Sequence, residues 1–196
     1  MSRSTAIVFV VLGAALAGFA FSSATGRLQD DAVPAEPSSA ARPQKAELYW
    51  HETYGRPGEQ LVFEVERLQV LENGWRASLV LTNDTSIAYE VGDPRATLDR
   101  AFGLMLFRTS KAAELKRRNS SGTLPATRPA TRYEPSLPAV LEPRASWRGT
   151  ISAPGPLVAG SWARVVFGTL LAVGATGDDL DERVVWITDH AYRLEP

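Results

Sequence analysis

The chain has 196 residues, no cysteine and a net charge of −1. The missing cysteines exclude a disulfide scaffold and a cysteine-type zinc site, and the length is compatible with one domain plus accessory segments. Charge is balanced only globally: residues 1–46 carry net +1, 47–107 net −5, 108–133 net +6 and 134–196 net −3.

The N-terminus has the three-part layout of a secretory signal. Arg3 supplies a short basic region, Thr5 to Phe21 runs without a charge, and Ser22-Ser23-Ala24 offers the small residues a signal peptidase reads. Cleavage is expected after Ala24. The rival reading is an uncleaved anchor, because the apolar run spans roughly 25 Å as a helix, close to a bilayer core. Residues 1–24 are therefore a signal peptide or membrane anchor, and both readings place the rest outside the cytoplasm: periplasmic, secreted or anchored to the membrane. No cysteine is present for lipid attachment. Residues 25–46 are rich in proline, alanine and charge, without apolar periodicity, and are expected to be a disordered linker. Lys45, Lys111 and Lys116 are the only lysines, an arginine bias that fits a GC-rich bacterial genome.

The domain is expected over residues 47–196. Leu61, Phe63 and Val65 alternate, and Leu68 and Val70 alternate in the opposite phase, which predicts a strand with a bulge near Glu66-Arg67. Asn73-Gly74 predicts a hairpin, followed by a strand through Trp75, Ala77, Leu79 and Leu81 to the turn pair Asn83-Asp84. Ile87, Tyr89 and Val91 form the next strand, closed by Gly92-Asp93-Pro94. Phe102 to Phe107 is apolar on both faces and hence central. Ser110 to Arg118 reads as two helical turns inside a long basic insertion, 108–136, expected to be flexible because its proline, serine and charge oppose packing. Val140-Leu141, Ser146 to Ile151, Trp162 to Leu171 and Val184 to Thr188 supply the remaining strands. About seven short strands with turn residues between them predict an all-β sandwich. Trp75, Trp147, Trp162 and Trp186 are expected in its core or rim.

Leu141-Glu142-Pro143, then Ser146-Trp147-Arg148-Gly149-Thr150-Ile151, then Leu157 to Phe167, together with Asn83 closing a Leu79-Val80-Leu81-Thr82-Asn83 strand, resembles the exported immunoglobulin-like domains of bacteria. The resemblance covers roughly residues 60–190. It implies an immunoglobulin-like β-sandwich and a role in envelope interactions, and it brings no catalytic residue. The inter-sheet cysteine pair of antibody-type members is absent.

Chemistry-bearing motifs are sparse. His51 and His190 are the only histidines, no G-x-S-x-G occurs, and a strand-end or surface role is the expectation for His190. Asp178, Asp179, Asp181 and Glu182 gather four carboxylates, the kind of ligand calcium takes, but their spacing departs from a calcium loop and a solvated hairpin is expected. Lys111, Lys116, Arg117, Arg118, Arg128 and Arg132 are the candidates for binding a partner: an envelope protein or an anionic envelope surface. Nucleic acid is not expected, since no aromatics interleave these charges, and no cofactor is implied. The sequence thus points to a non-enzymatic exported or membrane-tethered binding module of the cell envelope. The alternatives are an inhibitor or accessory subunit of an extracellular enzyme and, more remotely, a hydrolase using His190 or His51.

Overall fold

The computed structural model describes residues 39–92, 102–174 and 180–196. The predicted signal or anchor 1–24, most of the predicted linker, and the predicted turn at Asp93-Pro94 lie outside them. The elements in chain order are β1 (Gln44–Arg56), β2 (Glu59–Leu71), β3 (Gly74–Asp84), β4 (Ala88–Val91), β5 (Gly103–Phe107), α1 (Ala112–Ser120), β6 (Arg128–Pro129), β7 (Arg132–Glu134), β8 (Val140–Leu141), β9 (Ser146–Pro154), β10 (Trp162–Val173), β11 (Arg183–Ile187) and β12 (Tyr192–Arg193).

They build two antiparallel sheets. Sheet I has five strands in the order β1-β2-β3-β9-β7. Sheet II has seven strands organised by β10, in the path β6-β5-β10-β4-β8, with β11 and β12 also paired to β10. Trp162 and Ala163 pair with both β5 and β12, and Leu170 and Leu171 with both β4 and β11, so β10 is bonded along both edges. This is the two-layer, all-β arrangement that the strand pattern predicts.

Alternation explains the core between the sheets. Leu61, Phe63 and Val65 of β2 and Trp75, Ala77, Leu79 and Leu81 of β3 are buried on one side, facing Ala163, Val165, Phe167 and Leu170 of β10. Phe63 ties the layers together: it meets Phe167 edge-on at 5.1 Å and stacks on Trp186 at 5.1 Å with the rings nearly parallel. The opposite residues of sheet II, Met105, Phe107 and Val166, form a second apolar layer with Leu115 of α1, flanked by Leu124, Trp162, Val185 and Ile187.

The pairing places an irregularity where the phase of β2 changes: Val65 pairs with Leu79 and Arg67 with Ser78, leaving Glu66 as the extra residue. The hairpin expected from Asn73-Gly74 is present but offset. Leu71 pairs with Gly74, so the turn residues are Glu72 and Asn73. Gly74 opens β3 because a Cβ there would come within 2.7 Å of the Ala153 carbonyl oxygen.

Two expectations are corrected. The predicted linker reaches 46, yet Ala41 is buried with its amide bonded to Leu157 O at 2.7 Å, and β1 begins at Gln44. This strand was hidden because its inner-facing positions include Glu52, which breaks the apolar alternation. The basic insertion, expected to resist packing, lies on sheet II through α1, with Leu115 almost fully buried. A single leucine every few turns is too weak a periodic signal to outweigh the surrounding charge.

Candidate functional site

The most built polar cluster lies along the seam where edge strand β1 meets the end of β11. Trp50, Glu52 and Tyr54 alternate along β1 and face inward. The Glu52 carboxylate is buried and accepts four hydrogen bonds: Trp186 Nε1 at 2.7 Å, Asp189 N at 3.0 Å, His190 N at 3.1 Å and His190 Nδ1 at 2.7 Å. Trp50 stacks on the His190 ring at 5.6 Å. One turn along, the Tyr54 hydroxyl donates to Asp181 Oδ2. An inward-pointing carboxylate on an edge strand also discourages pairing with another chain.

Behind the same turn sits Arg164, fully buried on the outer face of β10. Its guanidinium donates to Thr188 O at 2.6 Å, Asp189 O at 2.5 Å and Ser110 O at 2.8 Å, and lies over the Phe107 ring at 5.4 Å. Burial lowers its pKa, opposed by the nearby negative charges of Asp189 and Glu52. Arg164 and Glu52 therefore grip the 188–190 turn from opposite sides, one holding its carbonyls and the other its amides. Sequence reasoning passed over both residues. The available signals were a lone arginine inside an apolar strand and a carboxylate at an inward position between Trp50 and Tyr54.

The seam also orients His190: because the Glu52 carboxylate can only accept, Nδ1 is the donor of this contact and Nε2 is the ring nitrogen it leaves over. Both carboxylate oxygens of Glu52 are occupied by donors, and among the described residues no group of three or more histidine and carboxylate side chains that could hold a metal occurs. His51 is on the other face of β1, exposed, with Nδ1 2.9 Å from Glu64 Oε1. Of the acidic candidates, Asp181 is engaged by Tyr54, Glu182 accepts Ala172 N through its backbone at 2.8 Å, and Asp178 and Asp179 lie outside the described residues.

The basic candidates separate into two groups. Arg117 and Arg118 converge on Glu114, at 2.8 Å and 2.6 Å, which holds the Glu114 carboxyl below its usual range. Arg118 also donates to Thr123 O, and Arg128 donates to Pro156 O at 2.9 Å. These cations are engaged within the fold. Lys111 and Lys116 remain on the exposed side of the α1 segment. Arg132 is brought somewhere the sequence did not suggest, onto the outer face of sheet I. There the register aligns Lys45 with Gln69, Gln69 with Arg76, Arg76 with Ser152 and Ser152 with Arg132.

Fold and clusters together define an all-β, two-sheet domain with a hydrogen-bonded seam and a cationic row across one sheet. No family model, curated protein or solved structure matches the chain. Among the described residues, no helix is long and apolar enough to cross a membrane.

Proposed function

We propose that this chain is a non-enzymatic binding module of a bacterial cell envelope. It is an immunoglobulin-like β-sandwich, exported or tethered by its N-terminal segment, that engages an anionic envelope component. The observation that supports this most is the outer face of sheet I, where Arg76 and Arg132 stand exposed with no ion-pair partner among the described residues. A sheet face that presents such cations to solvent is suited to surface recognition rather than to enclosing a small substrate. Export rests on the uncharged run from Thr5 to Phe21 and the small residues after it. The test is fractionation of a bacterium producing the full chain with a C-terminal tag, with protease added to intact spheroplasts. The tag is expected to be accessible from outside; an intact, protected chain in the cytosol would falsify the proposal.

One geometry favours a second reading. His190 held by a buried carboxylate is the arrangement of a general base, which suits a hydrolase acting through water. Under that reading, hydrolysis of an ester or glycoside panel would be abolished by His190→Gln. Under the first reading, wild type and variant show the same background.

A further inference from the structure

The row on sheet I carries more information than its charge. Five residues stand side by side across all five strands of the sheet: Lys45, Gln69, Arg76, Ser152 and Arg132. On the three central strands their neighbours Val70, Trp75, Ala77 and Ile151 are buried in the core, and Lys45 and Arg132 stand in register beside them, so this set faces outward. Cations occupy every second strand and an uncharged amide or hydroxyl occupies each strand between. With strands ~4.8 Å apart, the cations recur every ~10 Å along a line of ~19 Å. Lys45 also lies 3.2 Å from Glu47, which is shared with Arg67, so Arg76 and Arg132 are the freer charges.

Resting on the envelope-binding reading above, we propose that this row binds a linear acidic polysaccharide in which charged and neutral sugars alternate. An extended β-linked glycan advances by about the length of the cation repeat in each disaccharide. Its carboxylates then meet Lys45, Arg76 and Arg132, while the hydroxyls of the intervening sugars meet Gln69 and Ser152. Arginine suits the carboxylates because its planar fork bonds both oxygens. A nucleic acid fits less well. Its phosphates recur every ~3.4 Å along a duplex strand, and single strands are held by stacking on aromatic side chains, of which the row has none. A lipid surface would make no use of the alternation.

The test is titration of the full-length protein with a hyaluronan hexasaccharide, whose three uronates alternate with neutral amino sugars. A neutral chitin hexasaccharide, single-stranded oligothymidylate and phosphatidylglycerol vesicles serve as the other arms. The acidic hexasaccharide is expected to bind, the neutral one not to, and binding is expected to weaken with added salt. Arg76→Gln and Arg132→Gln should each weaken it on the order of fivefold and the double variant more, with unchanged melting temperature, since both side chains are exposed. Arg117→Gln should leave it unchanged. If the vesicles bind through Arg76 and Arg132 and the hexasaccharide does not, the glycan is wrong and the anionic-surface reading stands. If oligothymidylate binds more tightly than the hexasaccharide, the glycan is also wrong. If no polyanion distinguishes wild type from the double variant, both the glycan and the anionic surface fall.

Discussion

Asn83 shows how one polar residue can organise a junction. It is fully buried, and its Nδ2 donates to the carbonyls of Ile87, Leu141 and Glu142 at 2.8, 3.1 and 3.0 Å. Its Oδ1 accepts from the Thr85 amide and hydroxyl at 3.1 and 2.6 Å. The β3–β4 turn and the β8–β9 loop are thereby held to each other, and the sequon formed by Asn83, Asp84 and Thr85 presents no accessible amide for glycosylation. Asn83→Ala is expected to lower stability by about 2–4 kcal/mol, because several buried partners lose their bonds at once. Asn83→Asp should cost at least as much, since a carboxylate would face three carbonyl oxygens. Urea denaturation checks both, and a loss below 0.5 kcal/mol in either would contradict the role. Tyr89 is the opposite case. Among the described residues its buried hydroxyl has no hydrogen-bond partner, and burial, reinforced by the charges of Asp181 and Glu59, pushes its pKa up to about 12. The fold thus favours the neutral phenol. This stabilisation is intact below about pH 10, where the unfolded tyrosine begins to ionise, and is lost as pH rises toward 12. Tyr54 is shifted in the same direction by burial and by Asp181. Tyr89→Phe is expected to leave stability at pH 7 unchanged or raised by about 1 kcal/mol. It should also soften the alkaline fall between pH 10 and 12, both read from urea midpoints across that range.

At the scale of the element, α1 and β1 are positioned by very few side chains. α1 is polar on most sides and its N-terminus has no side-chain cap, so its place depends on Leu115 against Met105, Phe107 and Val166. Leu115→Ala is expected to cost about 2–3 kcal/mol. It should also open residues 110–127 to limited proteolysis before the rest of the domain; unchanged cleavage would show that the segment is held some other way. β1 is fixed to sheet II by the hydrogen bonds of Glu52 and Tyr54 together with the partial burial of Leu48 and Trp50. That explains why the strand pattern from Leu61 onward was readable and β1 was not. Periodicity reports side chains that avoid water, and the Glu52 carboxylate, bonded to an indole, an imidazole and two backbone amides, interrupts it between Trp50 and Tyr54. Gly149 is a related case. A Cβ there would meet the Trp147 ring at 2.4 Å, so the indole packs across the glycine of its own strand. In the sequence this reads only as a weakened strand.

For the whole molecule, the architecture was more legible than the surface. The alternation in β2 and β3 and the apolar runs of β5 and β10 are local properties, and with the turn residues between them they predicted an all-β, two-sheet domain. The choice of which cations face solvent together is not local. Arg117, Arg118 and Arg128 lie in the most basic stretch of the sequence, yet each is engaged by Glu114 or by a carbonyl. Arg132, Arg76 and Lys45 are scattered over almost ninety positions and are aligned only by strand register. A net-charge profile along the chain cannot see that row, because antiparallel pairing brings together residues that the profile averages separately. The seam has the same origin: Glu52 and His190 are 138 residues apart. Under the proposed function, the outer face of sheet I, and not the α1 segment, is the side that meets a partner. The most direct measurement is backbone amide chemical-shift mapping of the full-length protein during titration with the acidic hexasaccharide. Shifts are expected to centre on Lys45, Gln69, Arg76, Ser152 and Arg132, with α1 silent. Shifts centred on Lys111, Lys116 and their neighbours in α1, with the sheet row unmoved, would contradict that placement.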